Sequence, residues 1–156
     1  MTFTHLDAAG HARMIDVTAK VPSVRHATAE GTVLCAPHVV AALRSGDVPK
    51  GDVLAVARVA GIAAAKRTWE LLPLAHLIGV HGVTVDLDVV DEGVRIAATA
   101  RTADRTGVEM EALTAVAVAA LAVVDMVKGL DRTTSIADVR LVAKSGGRSG
   151  EWRRAE

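Results

Sequence analysis

At 156 residues, half of them hydrophobic, the chain is long enough to bury one core without metal or disulfide support, and a single domain over residues 1–156 is expected. Its 18 basic and 18 acidic residues cancel, and two Trp, one Phe and no Tyr leave few platforms for stacking bases, so neither nucleic acid nor an acidic membrane surface is an expected partner. The single Cys35 rules out an internal disulfide and any CxxC redox or zinc motif, which fits a reducing, cytoplasmic setting.

Residues 1–22 mix Gly, His, Asp and Thr with little periodicity and close on Pro22, which reads as an N-terminal arm. The first seventeen lack the basic-then-apolar layout of a secretory signal, so export is not expected. Residues 24–35 alternate β-branched and polar side chains, the pattern of a strand, and Pro37 opens a short helix over 37–43. Gly46, Pro49 and Gly51 mark a loop. Asp52 then caps a helix over 53–72, which Pro73 stops.

Val83, Val85, Leu87 and Val89 alternate with Thr84, Asp86 and Asp88, the period of a strand with one buried face. Asp91, Glu92 and Gly93 turn the chain into a second strand over 94–102, making a hairpin. Thr106 is placed to cap a helix over 107–128, with Glu109 at the capping-box position and Gly129 as the stop. Its apolar run, 112–124, falls short of the roughly 20 residues that a membrane span needs and reads as a buried helix. A last strand covers 136–142, and residues 144–156 read as a Gly-rich basic tail. The order strand, helices, strand, strand, helix, strand predicts an α+β ferredoxin-like sandwich, an antiparallel sheet with helices packed on one face.

Charges that interrupt an apolar helix need a reason, and the long helix carries four: Glu109 and Glu111 at its start, Asp125 and Lys128 at its end. Asp125 and Lys128, three apart, share a face and can form a helical ion pair, with Lys128 also favoured by the C-terminal dipole. Glu109 fits a capping box; Glu111 lies about 200° around the helix and cannot do that job. Glu111 and Asp125 are fourteen residues apart, about 21 Å along one helix, too far for one small ligand. If both ends work, the start of one copy meets the end of another, which predicts an oligomer with sites between subunits.

His76, just past a helix end in Pro73-Leu74-Ala75-His76-Leu77, is either structural or cleft-facing. His81, five residues on, suits neither an HExxH helix nor a zinc finger, and no protein-built metal site is expected. Lys50 precedes a helix N-terminus, where free amides favour anions, although a lone loop lysine is otherwise simply solvated. Lys144-Ser145-Gly146-Gly147-Arg148-Ser149-Gly150 reads either as a phosphate cradle or as a frayed basic end, and it is no Walker loop. Lys66 and Arg67 either snorkel from their helix or join a polyphosphate pocket.

Several stretches resemble the molybdenum cofactor biosynthesis protein C family, the cyclic pyranopterin monophosphate synthases. They are Met14-Ile15-Asp16-Val17, Lys50-Gly51-Asp52-Val53, Ala60-Gly61-Ile62-Ala63-Ala64-Ala65-Lys66-Arg67-Thr68, Thr106-Gly107-Val108-Glu109-Met110-Glu111-Ala112-Leu113-Thr114-Ala115, Asp125-Met126 and the 144–150 segment. The resemblance covers about residues 5–152 and implies ferredoxin-like subunits in hexamers, trimers of dimers, with active sites at subunit boundaries. It implies a lyase reaction, conversion of 3′,8-cyclo-7,8-dihydroguanosine 5′-triphosphate into cyclic pyranopterin monophosphate with release of pyrophosphate. Carried over by position, Asp125 and Lys128 resemble the family's acid-base pair and Lys50 its second lysine, near the triphosphate. Leu74, Ala75 and His76, with Met110 and Glu111, resemble the substrate-binding segments, and Glu109, Lys144 and Arg148 stand beside them as candidates. Lys50, Lys144 and Arg148 would offset the triphosphate charge, and a magnesium ion would be held through substrate oxygens.

The family's usual Leu-Cys-His-Pro is here Leu74-Ala75-His76-Leu77, and its Asp-Met-Cys-Lys is Asp125-Met126-Val127-Lys128. These changes alter the setting of the catalytic types and leave a rival expectation: a weakly active or non-catalytic paralogue that binds a nucleotide triphosphate or scaffolds a true synthase.

Overall fold

The computed structural model describes residues 5–155. Nine elements follow one another: β1 (Ser23–Leu34), α1 (Pro37–Ser45), α2 (Val53–Ala65), α3 (Thr68–Leu71), β2 (Gly82–Val90), β3 (Gly93–Asp104), α4 (Glu109–Val127), β4 (Ser135–Ser145) and β5 (Trp152–Arg153). The strands form one antiparallel sheet in the order β2-β3-β1-β4-β5, with helices α2 and α4 bridging strand pairs across it. The expected ferredoxin-like α+β sandwich is the one observed.

Small side chains set the spacing of its two layers. The sheet's inner row on β3 reads Val94, Ile96, Ala98 and Ala100, all buried, and α4 meets it with Ala112, Ala115, Val116, Ala119, Val123 and Val127. Burying a side chain such as Ile96 stabilises the fold by about 1.5–3 kcal/mol. Helix α2 lies close against α4 because Gly61 has no side chain: a Cβ there would stand 2.8 Å from the Ala115 carbonyl oxygen. By length and composition α4 could cross a membrane, yet 56% of its most apolar window is buried in this core.

Three expectations are corrected. The helix expected over 53–72 divides after Ala65: Lys66 and Arg67 turn the chain before α3, and the Thr68 hydroxyl donates to the Ala65 carbonyl at 3.0 Å across the break. Thr106 does not cap α4; Val108 occupies that position without a side-chain bond, and Glu109 turns away toward β4 instead of closing a capping box. The last strand runs on to Ser145, so Lys144 belongs to the sheet rather than to a tail, and β5 follows it as an unexpected fifth strand pairing Ala143 with Arg153. Asp52 does cap α2, its Oδ1 accepting from the Ala55 N–H at 3.0 Å.

Candidate active site

Two clusters stand at opposite ends of α4. At its start, strand register brings Lys144 of β4 beside Ala27 of β1, on the face that the helices cover. From there Lys144 Nζ donates to Glu109 Oε1 at 2.9 Å and to Ser149 Oγ at 3.0 Å. Gly146 and Gly147, at φ 91° and 69°, fold the following turn down over Arg25, where any side chain at Gly147 would meet the guanidinium. Arg25, His26, Gly107, Glu109, Lys144 and Ser149 line a small pocket of about 140 Å³. Arg148 lies in a second hollow with Lys20, Ser23 and Arg25.

One residue into α4, Met110 meets the loop between α3 and β2. Met110, Leu74, Ala75, Pro73 and Leu72 line an apolar recess together with Ala12 of the arm. His76 is fixed beside it, since its Nε2 stands 2.6 Å from the Ile15 carbonyl oxygen. A carbonyl only accepts, so Nε2 carries the hydrogen and Nδ1 of a neutral ring is left as the acceptor. The next residue of α4, Glu111, is only 4% exposed. Burial pushes its carboxyl up to about 7, the nearby charge of Glu109 adding to the effect and a bond from its own backbone opposing it. The helix start thus holds an acid that changes charge near neutral pH.

At the far end, Lys128 Nζ donates to Asp125 Oδ1 at 2.7 Å, and Lys50 Nζ reaches both Asp125 Oδ2 at 3.0 Å and the Asp125 carbonyl oxygen at 2.8 Å. Lys50 arrives from the loop ahead of α2. Bonding to Lys128 first and Lys50 second holds the Asp125 carboxyl below the usual carboxylate range. The ion pair expected on the helix is therefore a three-membered cluster, and Lys50 is not merely a solvated loop residue. Lys66 and Arg67 lie outside both clusters, Arg67 pairing with Glu70. His81 takes up a backbone-binding position at the end of the loop, its Nδ1 accepting from the Ala103 N–H.

Within one chain, then, the start of α4 carries neighbouring groups, Glu109 with Lys144 on one side and Met110 with Leu74 and Ala75 on another, while Lys50, Asp125 and Lys128 come together at its far end. Sequence reading missed Arg25 and Ile15. The alternation Arg25, Ala27, Ala29 carries the first signal, since it puts Arg25 on the covered face; nothing local marks the Ile15 carbonyl. Among the described residues no group of three or more His, Cys, Asp or Glu could hold a metal ion.

The structure is a ferredoxin-like sandwich whose long helix α4 carries an ammonium–carboxylate cluster at each end. The chain belongs to the MoaC family, whose model matches residues 14–147. It is 60% identical to the cyclic pyranopterin monophosphate synthase of Streptomyces coelicolor over 97% of this chain and 89% of that protein. The proteins of the same name from Nocardioides sp. and Chloroflexus aurantiacus are 56% and 55% identical, each over 97% of this chain and 94% of the relative.

Proposed function

We propose that this chain is a cyclic pyranopterin monophosphate synthase of molybdenum cofactor biosynthesis, a cytoplasmic lyase. It converts 3′,8-cyclo-7,8-dihydroguanosine 5′-triphosphate into cyclic pyranopterin monophosphate and pyrophosphate. The observation that carries this reading is the Lys50–Asp125–Lys128 cluster, in a chain whose relatives bear that name. Ring opening, ring closure and attack on a phosphate all need protons moved by positioned groups. Asp125 stays ionised between its two lysines, Lys128 Nζ holds a proton for transfer, and Lys50 sets positive charge beside the triphosphate.

The other half-site supplies recognition. Leu74, Ala75 and Met110 offer an apolar wall to a pterin ring, and Glu111 can accept from ring N–H groups or return a proton near neutral pH. His76 Nδ1 accepts from a substrate hydroxyl or amide. Lys144, released from Glu109, binds phosphate oxygens with Arg148. This ammonium-rich donor set suits a triphosphate or its magnesium complex rather than a bare divalent cation, and magnesium would supply charge neutralisation on the substrate's own oxygens.

Both half-sites serve one substrate only if two copies assemble, because α4 holds them about 21 Å apart. A homo-oligomer, a hexamer built as a trimer of dimers, is the assembly we infer. Its outer surface supports this: Met110, Leu113, Ala117, Leu121 and Lys128 share one face of α4, Leu121 is 57% exposed, and Val56 and Val59 of α2 extend the apolar area. The test is to mix the purified protein with enzymatically generated substrate and measure both products together. Stoichiometric formation of cyclic pyranopterin monophosphate and pyrophosphate is expected. Failure of a folded oligomer beside an active control would leave only a binding paralogue.

A further inference from the structure

The loop that carries His76 runs from Leu72 to His81 with no helix or strand of its own, so its backbone groups must find partners elsewhere. After Pro73 it contains no proline to stiffen it. One residue in it is held at both backbone groups by side chains of a single strand. The Gly79 N–H donates to Asp104 Oδ2 at 3.2 Å, and the Gly79 carbonyl accepts from Thr102 Oγ1 at 2.5 Å.

Thr102 occupies a position where the sheet otherwise demands an apolar side chain. It continues the inward row Val94, Ile96, Ala98, Ala100 and is only 2% exposed. A buried hydroxyl is costly unless bonded, and a valine would fill the same space without that cost. The hydroxyl's bond to Gly79 accounts for its presence. Between this anchor and His76 stand only Leu77, 72% exposed, and Ile78, packed against the core. His81 N–H, donating to the Arg101 carbonyl at 2.9 Å, fastens the loop's end to the same strand.

We propose that Thr102 and Asp104 are positioning residues: they clamp Gly79 so that the His76 loop stays in its substrate-binding conformation, an inference that rests on the synthase reading for its kinetic consequence. A loop freed at Gly79 spends part of its time elsewhere, and apparent substrate affinity falls by the fraction of time lost. At saturating substrate the loop is held by the ligand, so the maximal rate persists.

Thr102→Val keeps the shape and removes the hydroxyl. We expect KM to rise about tenfold with kcat within about twofold of wild type, and the amides of residues 76–79 to exchange faster with solvent. Thr102→Ser, which restores the donor, returns both readouts, and Asp104→Ala, which frees the Gly79 N–H, moves both in the direction of Thr102→Val. Should Thr102→Val fail to fold, Asp104→Ala carries the test. A variant with a lowered melting temperature but wild-type KM and loop exchange overturns the assignment, as does a loss confined to kcat. Wild-type protein without turnover breaks the synthase reading instead. Loop exchange then decides the clamp alone, and equal protection in wild type and variants overturns it.

Discussion

At the start of α4 a carboxyl is buried; at its end a carboxyl stands in water between two ammonium groups. Glu111 gains its proton through desolvation and sits at about 7, whereas Asp125 loses its proton more readily because Lys128 and Lys50 bond to it. Side-chain exposure tells the same story, 27% for both Glu109 and Lys144 against 57% for both Asp125 and Lys128. Chemically similar residues on one helix thus sit in opposite electrostatic settings. The start holds a group whose charge changes near neutral pH, and the end holds a fixed arrangement of charge.

The comparison breaks most sharply at the exposed end. Asp125→Asn keeps the shape and removes the charge between the lysines, and turnover should fall by about a hundredfold or more while the unfolding midpoint in urea stays where it is. Full turnover would remove Asp125 from the chemistry. If the two ends serve one site across a subunit boundary, mixing Glu111→Gln with Asp125→Asn should restore activity that neither variant has, to about a quarter of wild type for random pairing. No recovery after subunit exchange would confine the site to one chain.

The buried end makes a prediction about stability and pH. Glu111 has a folded-state pKa raised from 4.5 to about 7, so between those values the unfolded chain releases a proton that the folded chain keeps. Stability must therefore fall as pH rises through that window and level off above it, by roughly 3 kcal/mol if the whole shift is expressed. Glu111→Gln should lose this slope, so that wild type minus variant, from urea unfolding at pH 4.5 and pH 8, differs by that amount. Parallel profiles would mean that Glu111 is solvated in the working assembly.

What could be read from the sequence divides along the same line. The period-two strands, the Asp52 cap and the βαββαβ order are local or nearly local signals, and the sheet formed as those patterns require. The start of α4 is ambiguous in the sequence because a capping box and a cross-sheet ion pair begin from the same residue, Glu109, and only the β1–β4 register decides between them. The break after Ala65 falls at Lys66 and Arg67, both good helix formers, with no Gly or Pro to mark it. Asp125 and Lys128 were legible as a pair three apart, yet Lys50 joins them from 75 residues away, which resemblance suggested and spacing could not.

The smallest effect sharpens the comparison furthest, because it uses the same substitution at both ends. Lys144→Met leaves Glu109, largely shielded, without its ammonium partner and with the Glu111 carboxyl nearby. That should cost about 1 kcal/mol, read as a lower urea midpoint. Lys128→Met leaves Asp125 with Lys50 and water, and no shift in midpoint is expected there. Raising the salt concentration tests the same point from outside, since ions screen exposed pairs and reach half-buried ones poorly. The difference between the Lys144→Met and wild-type midpoints should therefore persist at high salt. A cost that vanished with salt would place the Glu109–Lys144 pair in the same watery setting as Asp125 and dissolve the contrast between the two ends of the helix.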